Sequence, residues 1–196
     1  MTSRDDFKWP ESGLVSAPDW DPKPECGNGL HGLLWGEGDG SLLNWDKDAK
    51  WLVVEIEEYV DLQGKVKFPS GNVVFAGNQE TATKYIADHG GAGKAIVGYN
   101  ATAGSGGTAT AGYGGTATAG EGGTATAGSY GTATADKGGT ATAGYGGTAT
   151  AGEGGEIRIR WWDGNRYRLA VGYVGEDGIE ANVPYVVVNG KLTRKI

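Results

Sequence analysis

The middle of this chain repeats Thr-Ala-Thr every eight residues from Thr108 to Thr148, and a degenerate first copy begins at Asn100. A short fixed period is typical of a stacked structure in which each unit contacts only its neighbours. In a strand, Thr-Ala-Thr-Ala places both threonines on one face and both alanines on the other. The glycines between copies would each cost about 1 kcal/mol in a helix, whereas they suit tight turns. The repeat therefore predicts short strands joined by glycine turns.

The residues that vary at the turns indicate how many octads form one coil. With two octads per coil, one corner would carry a charge ladder of Glu121, Lys137 and Glu153. The opposite corner would carry a stacking ladder of Tyr113, Tyr130 and Tyr145. Adjacent coils lie ~4.8 Å apart, a distance at which unlike charges attract and like charges repel. We therefore predict a flat β-solenoid with about 16 residues, or two octads, per coil.

A coil of two octads divides the threonines between two opposite faces. We define the first threonine face as Thr108, Thr110, Thr124, Thr126, Thr140 and Thr142. The second threonine face comprises Thr102, Thr116, Thr118, Thr132, Thr134, Thr148 and Thr150. Threonines would lie ~6.7 Å apart along each strand, with only alanines between the faces. Such rows are candidate binding arrays for ordered water, although threonine is also simply a good residue for an exposed strand.

The flanks of the repeat predict two further domains and a mainly β fold. Residues 1–93 predict a small α+β domain, with strands at 51–57 and 72–76 and a helix at 79–89 that Asn78 caps. Residues 94–155 form the solenoid. Residues 156–196 predict a β-hairpin cap that protects the open end of the solenoid from pairing with another chain. All seven tryptophans lie in the flanks, where we expect most of them to form the core.

Charge and hydropathy indicate which partners to expect. The net charge of −7 argues against a nucleic-acid partner, because such binding needs clustered Lys and Arg. The opening residues 1–7 lack the basic and apolar regions of a secretory signal, and no run approaches the ~18 apolar residues of a membrane span. A single cysteine suits a reducing compartment. We therefore expect a cytoplasmic protein that binds neither nucleic acid nor membranes.

Cys26 and His31, with His89 further along, are the residues that could suggest a zinc site or a thiol nucleophile. A closed zinc site needs about four ligands, which these residues do not supply without carboxylates. We interpret them as structural and predict no metal, no cofactor and no enzymatic activity. A cleft around His31 that holds a ligand would restore the enzyme hypothesis.

At residues 111–121, Ala-Gly-Tyr-Gly-Gly-Thr-Ala-Thr-Ala-Gly-Glu, the chain resembles the central repeats of bacterial ice nucleation proteins. Those repeats also have sixteen residues divided into octads, a Thr-x-Thr motif after Gly-Tyr-Gly, and one tyrosine per coil. The resemblance implies that the Thr-x-Thr rows order water into an ice-like arrangement. That role would fall here on the two threonine faces.

The whole layout also resembles an uncharacterised family of phage and bacterial proteins. In that family a domain with a Cys-x-x-Gly-Leu-His element precedes Gly-Ala-Thr repeats and a β cap that ends near Asn-Gly-Lys-Leu. Cys26, Gly29, Leu30 and His31 match the first element, and residues 189–192 match the last. This resemblance implies an architecture without an established activity.

Two hypotheses follow for function. The first is a non-enzymatic module that organises ice or ordered water, or binds a protein partner, through its threonine faces. A homodimer through those faces or through the tyrosine ladder is a variant of it. The alternative is a phage or mobile-element protein that binds a host partner through residues 1–93, with the solenoid as a rigid scaffold.

Overall fold

A computed structural model describes residues 7–196. The polar opening stretch of residues 1–7, where the sequence predicts no secretory signal, lies outside the described residues apart from Phe7. The chain divides into two compact units, Met1–Ala92 and Gly93–Ile196. The division into domains 1–93, 94–155 and 156–196 stays a prediction.

The first unit contains two small antiparallel sheets. Its strands in the described residues are β1 (Gly13–Ser16), β2 (Leu30–Gly32), β3 (Trp51–Glu55), β4 (Val60–Asp61), β5 (Val66–Phe68) and β6 (Ser70–Gly77). One sheet has the order β1-β6-β3 and the other β2-β5-β4. Side chains from both sheets form one apolar core, whose buried members are Val15, Leu30, Val66, Phe68 and Val73. The strand predicted at 51–57 is two residues shorter, because its pairing with β6 stops at Glu55.

Helix α1 (Gln79–Ile86) follows β6 directly and begins at the predicted cap. The Thr81 backbone N–H donates to Asn78 Oδ1 at 2.9 Å, and the Asn78 N–H donates to Thr81 Oγ1 at 3.1 Å. These two bonds satisfy backbone donors that a helix start leaves without partners. The helix ends three residues before the predicted His89, and the chain continues as a wider turn over Ala87–Gly91. Gly90, at φ 105°, completes that turn.

The tryptophans do not form the core that we expected. Trp35, Trp45 and Trp162 are 45%, 39% and 47% exposed, and the other four are half-buried. The first unit instead fills its core with valine, leucine and phenylalanine. A tryptophan is large and carries a polar N–H, so it often lies at the margin of a small core with that group bonded. Trp45 follows this rule, since its Nε1 donates to the Gly40 carbonyl at 2.8 Å.

The repeat forms seven four-residue strands, one per octad. They are β7 (Asn100–Ala103), β8 (Thr108–Ala111), β9 (Thr116–Ala119), β10 (Thr124–Ala127), β11 (Thr132–Ala135), β12 (Thr140–Ala143) and β13 (Thr148–Ala151). Consecutive strands belong to different sheets, and parallel pairs join strands two octads apart. Thr124, for example, pairs with Thr140, sixteen residues on. The structure therefore confirms a mainly β fold built on a solenoid of about 16 residues per coil.

The interior of the solenoid consists almost entirely of alanine. The alanines at the middle and end of each strand from β8 to β13 are at most 3% exposed. Burying one methyl group stabilises the fold by only about 0.8 kcal/mol. The regular backbone ladder must therefore provide much of the cohesion. Bonds between coils continue through the turns: the Thr124 N–H donates to the Gly107 carbonyl and the Thr140 N–H to the Gly123 carbonyl, each at 2.9 Å.

Two hairpins close the end of the solenoid, as the sequence predicts. They comprise β14 (Glu156–Trp162) with β15 (Tyr167–Tyr173), and β16 (Tyr185–Val188) with β17 (Lys191–Arg194). The first hairpin extends one sheet to β15-β14-β12-β10-β8, and the second extends the other to β17-β16-β13-β11-β9-β7. Ile157 and Ile159 continue the alanine rows of β12 and are at most 1% exposed. The larger side chains of the cap thus give the thin solenoid a thicker apolar end.

Candidate functional site

The first threonine face is a regular array on three adjacent parallel strands. In the central strand β10, Thr124 lies between Thr108 and Thr140, and Thr126 lies between Thr110 and Thr142. The alanines between them are buried, which places both threonines of each strand on the outer side. With strands ~4.8 Å apart and ~6.7 Å between threonines of one strand, the six side chains form a small rectangular grid.

The cap sets one boundary of this grid. In β14, Glu156 and Arg158 occupy the positions that continue the rows of Thr140 and Thr142. Arg158 Nη2 donates to Glu156 Oε2 at 2.7 Å, and this pairing raises the pKa of the Arg158 guanidinium. The next strand, β15, continues the two rows with Tyr173 and Val171. The chemistry of the surface therefore changes from threonine to an ion pair and then to aromatic and aliphatic side chains.

The second threonine face is less uniform than the first. Its first strand, β7, places Asn100 beside Thr116 and Thr102 beside Thr118. At its other end Thr148 is only 7% exposed, and Lys195 Nζ donates to its Oγ1 at 3.1 Å. We predicted Thr148 as part of an exposed array; this is wrong, because the end of the chain covers it. The register of the other threonines on this face follows the prediction.

The tyrosines line one corner of the solenoid, but their rings do not stack in parallel. The ring centroids of Tyr113 and Tyr130 are 5.3 Å apart with planes at 55°, and those of Tyr130 and Tyr145 are 5.8 Å apart at 87°. The rings thus meet tilted or edge to face, which suits their quadrupoles better than a face-to-face stack. The row continues into the cap, where Tyr145 meets Tyr167 at 6.1 Å.

Sequence reasoning missed this extension of the tyrosine row. Tyr167 also contacts the ring of Trp162 at 5.0 Å, and the Arg160 guanidinium lies 4.1 Å from the Tyr167 ring centroid. The sixteen-residue period does not reveal it, because counting on from Tyr145 reaches Trp161, whereas Tyr167 joins the row from the antiparallel strand β15.

The opposite corner carries the predicted charged residues. Lys137 Nζ lies 3.6 Å from Glu153 Oε2, and both side chains are exposed. The corners also join through the backbone, since the Gly122 N–H donates to the Lys137 carbonyl at 2.8 Å next to Glu121. Exposed pairs of this kind contribute at most about 1 kcal/mol.

His31 and Cys26 lie in different surroundings. His31 lies on β2 opposite Lys67 of β5, and Cys26 is an exposed free cysteine. Burial lowers the pKa of His31, and the charges of Lys65 and Lys67 lower it further. Lys67 is only 2% exposed and its ammonium lies 5.7 Å from the centre of the Trp20 ring. Within residues 7–196, no group of three His, Cys, Asp or Glu side chains is placed to hold a metal ion.

Comparison with known proteins shows that the repeat is the part of the chain that resembles other sequences. The chain is 38% identical over 93 residues to an ice nucleation protein of Pseudomonas fluorescens, and 43% identical over 83 residues to one of Xanthomonas campestris pv. translucens. It is 36% identical over 85 residues to ice nucleation protein InaU of Pantoea ananas. The repeat region resembles ice nucleation repeats. The alignments cover 45%, 40% and 41% of this chain, which confirms the resemblance inferred from the motif.

The likeness to ice nucleation proteins is partial on both sides. The chain spans only 8%, 5% and 8% of the length of these three relatives. No family model and no solved structure matches the chain. Among the described residues, no helix is both long and apolar enough to cross a bilayer.

Proposed function

We propose that the solenoid is a small, non-enzymatic water-organising module whose first threonine face binds ice. The observation that carries this proposal is the in-register alignment of identical threonine pairs on β8, β10 and β12. Each pair presents methyl and hydroxyl groups from a rigid backbone, so bound water would meet the same chemistry at regular intervals. The likeness of the repeat to ice nucleation repeats supports the same assignment.

The size of the array indicates which ice activity to expect. Three strands span only about 10 Å across the strands, so the first threonine face would order few water molecules. A small surface of this kind suits adsorption to an existing crystal better than formation of a critical nucleus. We therefore propose ice binding and ice shaping by the single chain, with little nucleation.

A double substitution on the central strand tests this proposal. Thr124→Lys with Thr126→Lys places two long charged side chains between the flanking threonines without touching the alanine core. A matched control is Ser105→Lys, an exposed corner residue whose column neighbour is Glu121. We expect wild type and control to shape ice crystals and show thermal hysteresis, and the double variant to lose most of both. Circular dichroism checks that all three chains fold.

Two results would contradict ice binding. One is a folded wild-type chain that neither shapes ice nor shows hysteresis at millimolar concentration. The other is a Thr124→Lys, Thr126→Lys variant with wild-type activity, since the threonine grid would then be irrelevant.

The alternative that we propose is a protein-binding first unit with the solenoid as scaffold. The exposed rings of Trp35 and Trp45, at 45% and 39%, are the observation that favours it, because aromatic residues are enriched at interfaces. It predicts that Trp45→Ala weakens partner binding by the full-length chain while Thr124→Lys does not. Equal loss with both variants would exclude this assignment.

A further inference from the structure

Strand β15 presents an exposed apolar row on an open sheet edge. Tyr167, Leu169, Val171 and Tyr173 alternate along the strand and are 49%, 54%, 44% and 52% exposed. β15 pairs with β14 along its whole length, and within residues 7–196 no strand pairs with its other edge. An exposed, long, apolar edge strand is a template for pairing with another chain.

The edge of the neighbouring sheet in the cap is protected against pairing by charged residues. Strand β17 ends that sheet and carries the charged residues Lys191 and Arg194, of which Arg194 forms an ion pair with Glu180. Charge on an edge strand disfavours pairing with a second chain, because the charges would have to be desolvated and would face like charges. The two edges at the same end of the solenoid therefore differ: β17 carries two charges in four residues, whereas the only charge in the seven residues of β15 is Arg168, which is paired with Asp163.

We propose that β15 pairs antiparallel with β15 of a second copy of this chain, centred on Ala170. In that register Tyr167 lies opposite Tyr173 of the other copy, and Leu169 lies opposite its Val171. On the inner side Arg168 lies opposite Gly172, so the two arginines avoid each other. Aromatic and branched aliphatic pairs are favourable cross-strand contacts, and the arrangement is self-complementary, as a two-fold interface requires.

This pairing also fixes how the threonine faces are arranged. The outward residues of β15 continue the rows of the first threonine face, through Glu156 to Tyr173 and through Arg158 to Val171. The two-fold axis of an antiparallel strand pair is perpendicular to the sheet, so both copies present this face on the same side. The dimer itself does not depend on ice binding; only the use of two coplanar threonine grids rests on the proposed function.

The size of the contact predicts a weak, reversible dimer. One seven-residue strand buries far less than the ~800 Å² per partner of a standard stable interface. The dimer should therefore form with rising protein concentration, which a sedimentation series measures. At high concentration the wild-type mass should approach twice the 20.2 kDa of the chain.

Charge substitutions on β15 test both the strand and its register. Leu169→Lys should raise the dissociation constant about tenfold, because it disrupts two symmetric cross-strand pairs. Adding Val171→Glu to Leu169→Lys should restore dimerisation, since each introduced Lys then faces an introduced Glu. Leu14→Lys is the matched control, because Leu14 lies on the edge strand β1 of the first unit and is 85% exposed. It should leave the dissociation constant unchanged.

Three results would overturn the β15 dimer. The first is a wild-type chain that stays monomeric throughout the concentration series. The second is a dimer that Leu169→Lys does not weaken although the variant folds, which would place the interface elsewhere. The third is a double variant, Leu169→Lys with Val171→Glu, that does not recover dimerisation, which would exclude pairing about Ala170. Ice shaping by a strictly monomeric chain would leave the proposed function standing while the dimer fails.

Discussion

The ammonium of Lys195 donates a hydrogen bond of 3.1 Å to Oγ1 of Thr148, across 47 residues of sequence. This contact closes one end of the second threonine face, where Thr148 is the most buried threonine of the solenoid. The first threonine face has no equivalent cover, because its rows end in the lateral neighbours Glu156 and Arg158. The two faces, both built from the Thr-Ala-Thr repeat, are therefore unequal in the folded protein.

Lys195→Ala should destabilise the cap modestly. The substitution removes the donor to a buried hydroxyl, which costs about 1 kcal/mol of unfolding free energy. Urea unfolding followed by tryptophan fluorescence measures the loss. Lys191→Ala is the matched control, since Lys191 is exposed on β17; its effect should stay within about 0.5 kcal/mol. Equal stability of the two variants would mean that the bond to Thr148 contributes nothing.

Adjacent turn glycines should respond differently to alanine. Gly138 has φ 65° with open space around it. The free energy of unfolding lost in Gly138→Ala is therefore only that of holding alanine in the left-handed conformation, about 1 kcal/mol. At Gly139 a Cβ would lie 2.7 Å from the Gly123 carbonyl oxygen of the preceding coil. Gly139→Ala must push the coils apart and should cost about 3 kcal/mol. Denaturant titration of both variants checks the order, and a reversed order would contradict close coil contact as the reason for the second glycine.

A double substitution at the corner formed by Ser129 and Tyr130 should raise the stability of the protein. Tyr130 has φ 58°, at the place where the corners on either side have glycine, Gly114 and Gly146. Ser129→Tyr with Tyr130→Gly restores the arrangement of those corners and removes a penalty of about 1 kcal/mol. The melting temperature should rise by about 2–4 °C.

The single variant Tyr130→Gly is the control for this corner. It relieves the same backbone but deletes the ring between Tyr113 and Tyr145, so it should lower the melting temperature. A double variant that melts below wild type would show that the shifted tyrosine is the better arrangement.

Stability of the cap should fall in acid because of Asp163. The Arg166 and Asn165 N–H groups donate to its Oδ1 at 2.8 and 2.9 Å, and Arg168 donates to its Oδ2. These bonds lower the pKa of Asp163 from 3.8 to about 2. A depressed pKa stabilises the fold above the unfolded value, and that contribution is lost as pH falls through the folded value. The loss should therefore occur between about pH 4 and pH 2.

Melting temperatures of wild type and Asp163→Asn between pH 5 and pH 2 check this effect. The Asn side chain keeps an oxygen acceptor for the two backbone N–H groups but does not titrate in this range. The difference between the two proteins should be largest near pH 5 and should shrink towards pH 2. Parallel curves would show that other carboxylates cause the acid sensitivity.

The sequence alone was sufficient for the parts of this protein that depend on neighbours at a fixed spacing. The alternation of Thr116 and Ala117 defines which side chain faces outward, and the turn glycines exclude a helix. The opposite charges of Lys137 and Glu153 indicate the two-octad coil, which the pairing of Thr124 with Thr140 confirms. These features are local or periodic, so a single strand pattern repeated seven times determines them.

Only the tertiary structure decided the features that depend on distant segments. The position of Lys195 in the folded chain decides which threonine is covered. No sequence pattern near Thr148 distinguishes it from Thr132. Likewise, the partial exposure of the tryptophans in the first unit reflects how its two small sheets pack, and the open edge of β15 reflects which strand comes last in its sheet. Repetition determines the coil because each unit meets a copy of itself, whereas the cap and the first unit depend on contacts between unlike segments far apart in sequence.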